Sequence, residues 1–405
     1  MLIFYLLAIG SGIITSIWVI FDAMGNYHIK NPYLFGAYEM TVGLIASIIL
    51  VLLLHIPLPS KGKIRLNLGY YFDPNFQYLH LPLGKQGLFT LLAGLFATGN
   101  TVVYFILLER FDASIIMPFS QFVLIYLLVA DSISEKEKPV MIEIQSILMI
   151  AIGVIIATLS KGNIDVNGIL LIIGPFSIFS ALYIYFQKRA LTIKDAKGRK
   201  LDTVNLRIWT LLIMTIGQVL ASLPTILKKG ITEITENWKP ALAPSLLSML
   251  LVYVSVVFYT RALTMGKMSI VKALNSISVV ATIPFAALAA IWMPEVFNTE
   301  FTGSFDIILK ISGSILILLG MIALALSETK SILLAKLKQG EAIDLEKLTK
   351  LKGVAEVAFI TGEYDLLIRV RIRSIGRTYR LLEKSIAKLP WIADIMTLQI
   401  MKEYE

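Results

Sequence analysis

Ionisable and amide side chains set inside long apolar runs are the residues of this 405-residue chain whose types and spacing could do chemistry. A charge in hydrocarbon costs about 2.5 to 3.5 kcal/mol on insertion scales, so each one is a candidate for binding a polar ligand or carrying a proton. Glu39 lies about six residues, roughly 9 Å, inside one apolar run, and a Glu cannot snorkel as far as a Lys. Two roles fit it: a carboxyl lining a pathway as a proton carrier, or a packed structural carboxyl. Lys272, Asn275, Ser276 and Val279 fall on one helical face at i, i+3, i+4 and i+7, a stripe that must face protein or water. Lys272, one turn from the start of its run, could instead lift its ammonium to the headgroups. Ser11, Thr15, Trp18 and Asp22 also share a face, expected to end at the outer surface. Ala93, Ala97, Asn100 and Tyr104 form a third stripe, Ser248, Ser255 and Tyr259 a fourth, and Ser114, Pro118 and Gln121 a fifth. Pro118 frees a backbone carbonyl that could serve a ligand. Any single Ser or Thr could simply glue helices together, whereas the assembled set reads as a polar cavity.

The elements that would carry these residues follow from composition. Hydrophobic residues make up 57% of the chain and charged ones 16%, with a mean hydropathy of +0.77, which places the chain in lipid. A spanning helix needs about 20 apolar residues. Ten stretches qualify, at about 2–21, 33–55, 86–108, 113–130, 141–159, 166–187, 204–227, 243–263, 268–292 and 306–327. The first lacks a basic leader and a cleavage site, so it reads as a span. Lys and Arg number four, two, six and two in the loops after the even-numbered stretches and fewer in most of the opposite set. The positive-inside rule then puts both termini in the cytoplasm and the chain, as a multi-pass protein, in the plasma membrane. The net charge of +9 is absorbed by those loops and does not call for nucleic acid. The segment DSISEKEKP (131–139) reads as a solvated loop, and Tyr33, Tyr70 and Trp292 as an aromatic belt.

Several functions are disfavoured by what the sequence lacks. There are no cysteines and only three scattered histidines (His28, His55, His80), so no metal site and no cofactor is expected. No P-loop, paired catalytic carboxylates or Ser-His-Asp arrangement is present, so the chain is expected not to be an enzyme and to have no catalytic residues.

The chain repeats itself. VYFILLERFDASIIMPFSQ from Val103 and FYTRALTMGKMSIVKALNS from Phe258 align at one offset, matching Tyr104 to Tyr259 and Ser114 to Ser269. Extended one turn back, Asn100 meets Ser255. If five stretches repeat as the next five, the halves run in opposite membrane orientations, the hallmark of secondary transporters with a site at the repeat interface.

Together with a Gly-Ser-Gly and a tryptophan in the first stretch and NPYLFGAYE opening the second, the layout resembles EamA-type members of the drug/metabolite transporter superfamily. The resemblance divides the chain into five-helix repeats at 1–160 and 161–327, and Glu39 stands where that family often has a basic residue. Past residue 327 the character changes. VAFITGEYDLLIRVRI alternates apolar and polar residues about a Gly-Glu-Tyr-Asp tip, as a half-buried hairpin does. The order β-α-β-β-α-β across 329–405 resembles the ligand-binding module (RAM domain) of Lrp/AsnC regulators, a ferredoxin-like α+β unit. That likeness implies amino-acid binding near Gly362, Glu363, Tyr364 and Asp365 and pairing of the tails into a homodimer.

The expected fold is therefore an all-α polytopic bundle of ten transmembrane helices in a 5+5 inverted repeat, with a C-terminal ferredoxin-like domain. Its expected function is secondary transport, by family resemblance export, of small metabolites such as amino acids, regulated by amino-acid binding to the tail. The substrate pathway is expected to include Trp18, Glu39, Asn100, Tyr104, Gln121, Ser255, Tyr259, Lys272 and Asn275. The alternative is a membrane-anchored amino-acid sensor whose bundle does not transport.

Overall fold

A computed structural model describes residues 2–57, 67–110, 116, 120–135, 141–158, 170–195, 198–297, 304–326, 328–338, 343–349, 351, 354–373 and 385–399. Its N-terminal part is helical: α1 (Leu2–His28), α2 (Pro32–Leu54), α3 (Gly84–Arg110), α4 (Val123–Glu135), α5 (Met141–Thr158), α6 (Ser177–Thr192), α7 (Thr203–Lys229), α8 (Thr232–Met265), α9 (Met268–Trp292) and α10 (Ser304–Leu326). Among the described residues, six helices are long and apolar enough to cross a membrane: α1, α2, α3, α7, α8 and α9. Shorter apolar stretches lie at Ser120–Ile133, Met141–Gly153 and Ile311–Ala323. Large apolar side chains point outward from several helices, for example Ile45, Ile48, Ile49 and Leu52 on α2 and Leu148, Ile152 and Ile155 on α5. Water would not tolerate that surface and lipid does. Trp292 is 83% exposed at the end of α9.

Local signals in the sequence set the helix ends. The Asn31 side chain accepts from the N–H groups of Tyr33 and Leu34 at 3.1 and 3.2 Å, with Pro32 in the first turn of α2. Asp202 caps α7 the same way, accepting from the Asn205 N–H at 2.8 Å, and Gly230 closes it at φ +74°, a conformation that favours glycine.

Three expectations are corrected here. The ninth stretch is not one continuous helix: it runs Met268–Asn275, turns at Ser276 and resumes at Ile277–Trp292. A short π-helical turn, Ile172–Phe176 around Pro175, likewise precedes α6. The solvated-loop reading of DSISEKEKP fails at its start, because α4 continues to Glu135 and Asp131 is buried. Ser114 and Pro118 lie outside the described residues.

Helix packing carries a regularity. α1 packs on α8 and α9; five helices on, α6 packs on α3 and α4. α2 meets α3 and α8, and α7 meets α8 and α3, while α2–α7, α5–α10 and α4–α9 pair with each other. Within this set, replacing each helix by its counterpart five places away returns the same contacts, while others, such as α9–α10 and α6–α8, have no equally marked counterpart. Small residues permit the closest crossings. A Cβ added at Gly12 of α1 would stand 2.6 Å from the Asn275 carbonyl oxygen, so α1 can touch the break in α9 only because residue 12 has no side chain.

The tail is a four-stranded antiparallel sheet: β1 (Glu328–Leu337), β2 (Val354–Phe359), β3 (Leu366–Arg373) and β4 (Ile392–Gln399), in the order β2-β3-β1-β4, with a short helix α11 at Leu345–Thr349. The alternation in the sequence becomes burial: Leu366, Ile368 and Val370 of β3 join Leu333, Ala335, Leu348, Ile386 and Trp391 in a separate core.

Candidate functional site

Seven helices converge on a cavity of about 200 Å³, below the roughly 300 to 1,000 Å³ of sites for drug-sized ligands. α1 contributes Thr15, Trp18 and Asp22, three members of the stripe seen in the sequence; α3 contributes Asn100 and Tyr104. Tyr183 of α6, Arg207 of α7 and Lys272 of α9 add to its polar lining, with Ser120, Ser180 and Ser278, and Met40, Met214 and Met249 are among its apolar residues.

The acidic end is built as a stack. Asp22 is 2% exposed and does not reach a surface, which corrects the expected end of its stripe. Its Oδ2 accepts from the Tyr104 hydroxyl at 3.2 Å, and its Oδ1 from the Ser248 hydroxyl. Glu39, fully buried on α2, lies against Asp22 and Ser248 from behind, outside the cavity lining. Neither Glu39 oxygen makes a hydrogen bond of good geometry. Two carboxyls this close in a water-poor interior cannot both carry charge without large cost, so the pair is suited to hold one proton between them.

The basic part is differently supported. Arg207 is 2% exposed, its Nη1 lies 4.0 Å from the Met214 sulfur, and its Nε has no hydrogen-bond partner among the described residues. Tyr183 lies beside it. Lys272 lines the cavity and has no hydrogen-bond or ion-pair partner among the described residues.

Other sequence candidates are brought together elsewhere. Ser255 donates to the Ser11 carbonyl at 3.0 Å and shares hydrogen bonds with the hydroxyls of Ser11 (3.2 Å) and Thr15 (3.0 Å), while the Asn275 amide donates to Ser11 Oγ at 3.0 Å. Ser276, at the turn in α9, donates to Gln121 Oε1 at 2.6 Å. Ser255, Asn275 and Gln121 thus fasten α1, α8 and the segment before α4 to the break in α9 and do not line the cavity. Asn100, which does line it, donates to the Phe176 carbonyl at 2.9 Å at the end of the π-helical turn. Tyr259 is outside the lining, its buried hydroxyl without a hydrogen-bond partner.

Two buried ion pairs hold one end of the bundle. Asp131 Oδ2 accepts from the N–H and the hydroxyl of Ser269, Oδ1 from the N–H of Met268, and Lys188 stands 3.5 Å away. Glu143 pairs with Lys267 at 3.0 Å. Beside them, the loop before α3 is latched to the start of α7: Asp73 accepts from the N–H and hydroxyl of Thr203, and Asn205 accepts from the His80 N–H. Burial pushes the Asp202 carboxyl there up to about 6.

Arg207 and Glu143 are not singled out by the sequence, and Asp131 stands there only as the start of a segment read as a solvated loop. The polar residues of the spans signal Asp22, but pairing it with Glu39 requires a contact between α1 and α2 that no periodicity shows. Arg207 stands at a helix start after a charged loop, where a cation is ordinary.

In the tail, Gly362 sits at the hairpin tip with φ +143°, and Glu363 beside it is exposed. Tyr364 is half-buried. Asp365 is tied into the sheet: its Oδ2 accepts from the Leu337 N–H at 2.7 Å, and its backbone bonds to Ala335 and Ile360.

Comparison with known proteins gives two family matches. Residues 2–159 match the EamA-like transporter family, and residues 336–405 match the Lrp/AsnC ligand binding domain. The chain therefore joins an EamA-like transporter domain to an Lrp/AsnC ligand-binding domain. No curated protein matches the chain. One solved structure, described only as the crystal structure of a protein, is similar over 79% of this chain and 97% of its own, with 13% identity and a TM-score of 0.51, a likeness of fold.

Proposed function

We propose that the chain is a secondary transporter, not an enzyme, that moves small metabolites, amino acids or related compounds, by alternating access. In this reading residues 1–160 and 161–327 are two five-helix halves of inverted orientation that cross the plasma membrane ten times, and 329–405 is a ferredoxin-like cytoplasmic domain. The observation that carries it is the cavity: acidic and basic side chains meet in an apolar bundle, among helices whose packing repeats at five places. The Asp22–Glu39 pair is positioned to take up and release a proton during the cycle. Export, with both termini in the cytoplasm, is the direction and orientation we assign. Amino-acid binding to the tail regulates transport, and tails pair into homodimers; the Lrp/AsnC match supports a ligand-binding role.

Proton-gradient-driven flux of an amino-acid panel in proteoliposomes tests the reading. Flux above protein-free liposomes is expected for at least one compound. Background flux throughout would leave the bundle as an anchor for a sensor.

A further inference from the structure

Arg207 and Lys272 reach the same cavity from α7 and α9, and neither has a carboxylate partner among the described residues. That is costly. Buried charges in proteins are normally paired, and an unpaired cation inside an apolar bundle is retained where something else supplies the counter-charge. The acid of the cavity does not supply it: among the described residues Asp22 makes no ion pair with either cation, and its oxygens accept from Tyr104 and Ser248 instead. Arg207 also keeps an N–H donor unused, and its fork geometry matches a planar carboxylate.

We propose that Arg207 and Lys272 together receive the carboxylate of the transported compound, whose apolar side chain lies against Met40, Met214 and Met249. This deepens the transporter reading and rests on it for the word transported, though the binding site itself does not. The ligand class is an amino acid with an apolar side chain, or the corresponding 2-oxo acid. The anionic group is the required feature and the ammonium is not, since Asp22 is satisfied without one. The thioether lining favours the apolar remainder, as methionine side chains adapt to irregular apolar shapes. The small volume limits the ligand to metabolite size.

The test uses the purified full chain in lipid nanodiscs and calorimetric binding of leucine, methionine and phenylalanine, each beside its 2-oxo acid and its decarboxylated amine. The tail is kept from contributing by repeating the titrations on a chain ending at residue 328. Acids and oxo acids are expected to bind and the amines not to. Lys272→Gln should weaken the acids about tenfold or more, the loss of one charge-assisted contact. Arg207→Lys, which keeps the charge and alters the fork, should weaken them less than Arg207→Gln. Monodisperse elution of each variant establishes that it folds. Amines binding as tightly as acids, inorganic phosphate competing as well as an acid, or no binding of any acid to the truncated wild-type chain each overturns the proposal. Acid binding without flux in proteoliposomes would instead count against the transporter reading and leave this site standing. Flux with unchanged acid affinity in Lys272→Gln and Arg207→Gln would do the reverse.

Discussion

Asp131, near the end of α4, caps the first turn of α9 by accepting from the Ser269 backbone N–H at 2.8 Å and from its hydroxyl at 2.7 Å. A carboxylate at a helix N-terminus is favoured by the exposed N–H groups and the dipole, and here the helix it caps is the one broken at Ser276 beside the cavity. With Lys188 and the Glu143–Lys267 pair it clamps α4, α5, α6 and α9 at one end.

Loosening that clamp should open the cavity toward its own end. The chain has no cysteine, so Ser180→Cys, on the cavity wall, gives a single label site. Adding Asp131→Asn should raise its labelling rate by a membrane-impermeant thiol reagent about tenfold, equivalent to a shift of roughly 1.4 kcal/mol. An unchanged rate would show that the contact is not a gate.

The Asp22–Glu39 pair should separate two modes of transport. Glu39→Gln cannot take part in a protonation cycle, so gradient-driven flux should vanish while substrate exchange persists. Equal loss of both in the assay would make Glu39 a structural carboxyl. Asp22→Asn keeps a hydrogen-bond acceptor for Tyr104 or Ser248 and should behave alike.

Gly12 offers a test of packing. In Gly12→Ala the new methyl group meets the Asn275 carbonyl oxygen at 2.6 Å, and relieving it must push α1 away from the break in α9. A destabilisation of about 1 to 3 kcal/mol is expected, read as a lower midpoint of thermal aggregation in detergent. Gly198, with open space around its Cβ position but φ +76°, is the contrasting case in which backbone strain alone acts.

Asp202 makes a prediction in pH. Its folded carboxyl holds its proton more tightly than in the unfolded chain, about 6 against 3.8, because burial disfavours the charge. Its contribution to stability is therefore fully present below 3.8 and is lost as pH rises through about 6. Asp202→Asn retains a capping oxygen without the titration. The thermal midpoint of the wild type should fall relative to this variant between pH 4 and 7, by at most roughly 3 kcal/mol in stability. Parallel profiles would remove Asp202 from the account.

For the tail, Glu363→Ala is the informative change because Glu363 is exposed at the tip, whereas Asp365→Ala would cut the Leu337 N–H bond and unsettle the sheet itself. If the tip binds an amino-acid effector, Glu363→Ala and truncation at residue 328 should both remove effector-dependent changes in flux. Regulation that survives truncation would exclude the tail as its source.

Much of this was legible beforehand because the relevant signals are local. The β3 strand followed from alternation, and the stripe Thr15, Trp18, Asp22 followed from helical spacing within one segment. What escaped was non-local. Lys188 and Lys267 count in sequence as loop charges, yet both are buried in ion pairs whose partners lie 57 and 124 residues away. Glu39 and Asp22 acquire meaning from each other, through helices whose relative rotation no single-segment pattern carries. The turn at Ser276 was hidden because Asn, Ser and Ile continue a helical pattern on paper. Its stabilisation comes from Gln121 and Ser11 on other segments.

β1 starts at Glu328, two positions after α10 ends at Leu326, and it is an inner strand, hydrogen-bonded to β3 on one edge and β4 on the other. A strand held on both edges cannot slide or peel by itself, so torque arriving along the backbone from α10 is delivered to the middle of the sheet and turns it as one body. The same geometry works backward: anything that immobilises the sheet also restrains the rotation of α10 and, through the α5–α10 contact, of α5, which carries Glu143 of the clamp. A few flexible residues spliced in after Leu326 are therefore expected to leave both parts folded while disconnecting the motion of one from the other.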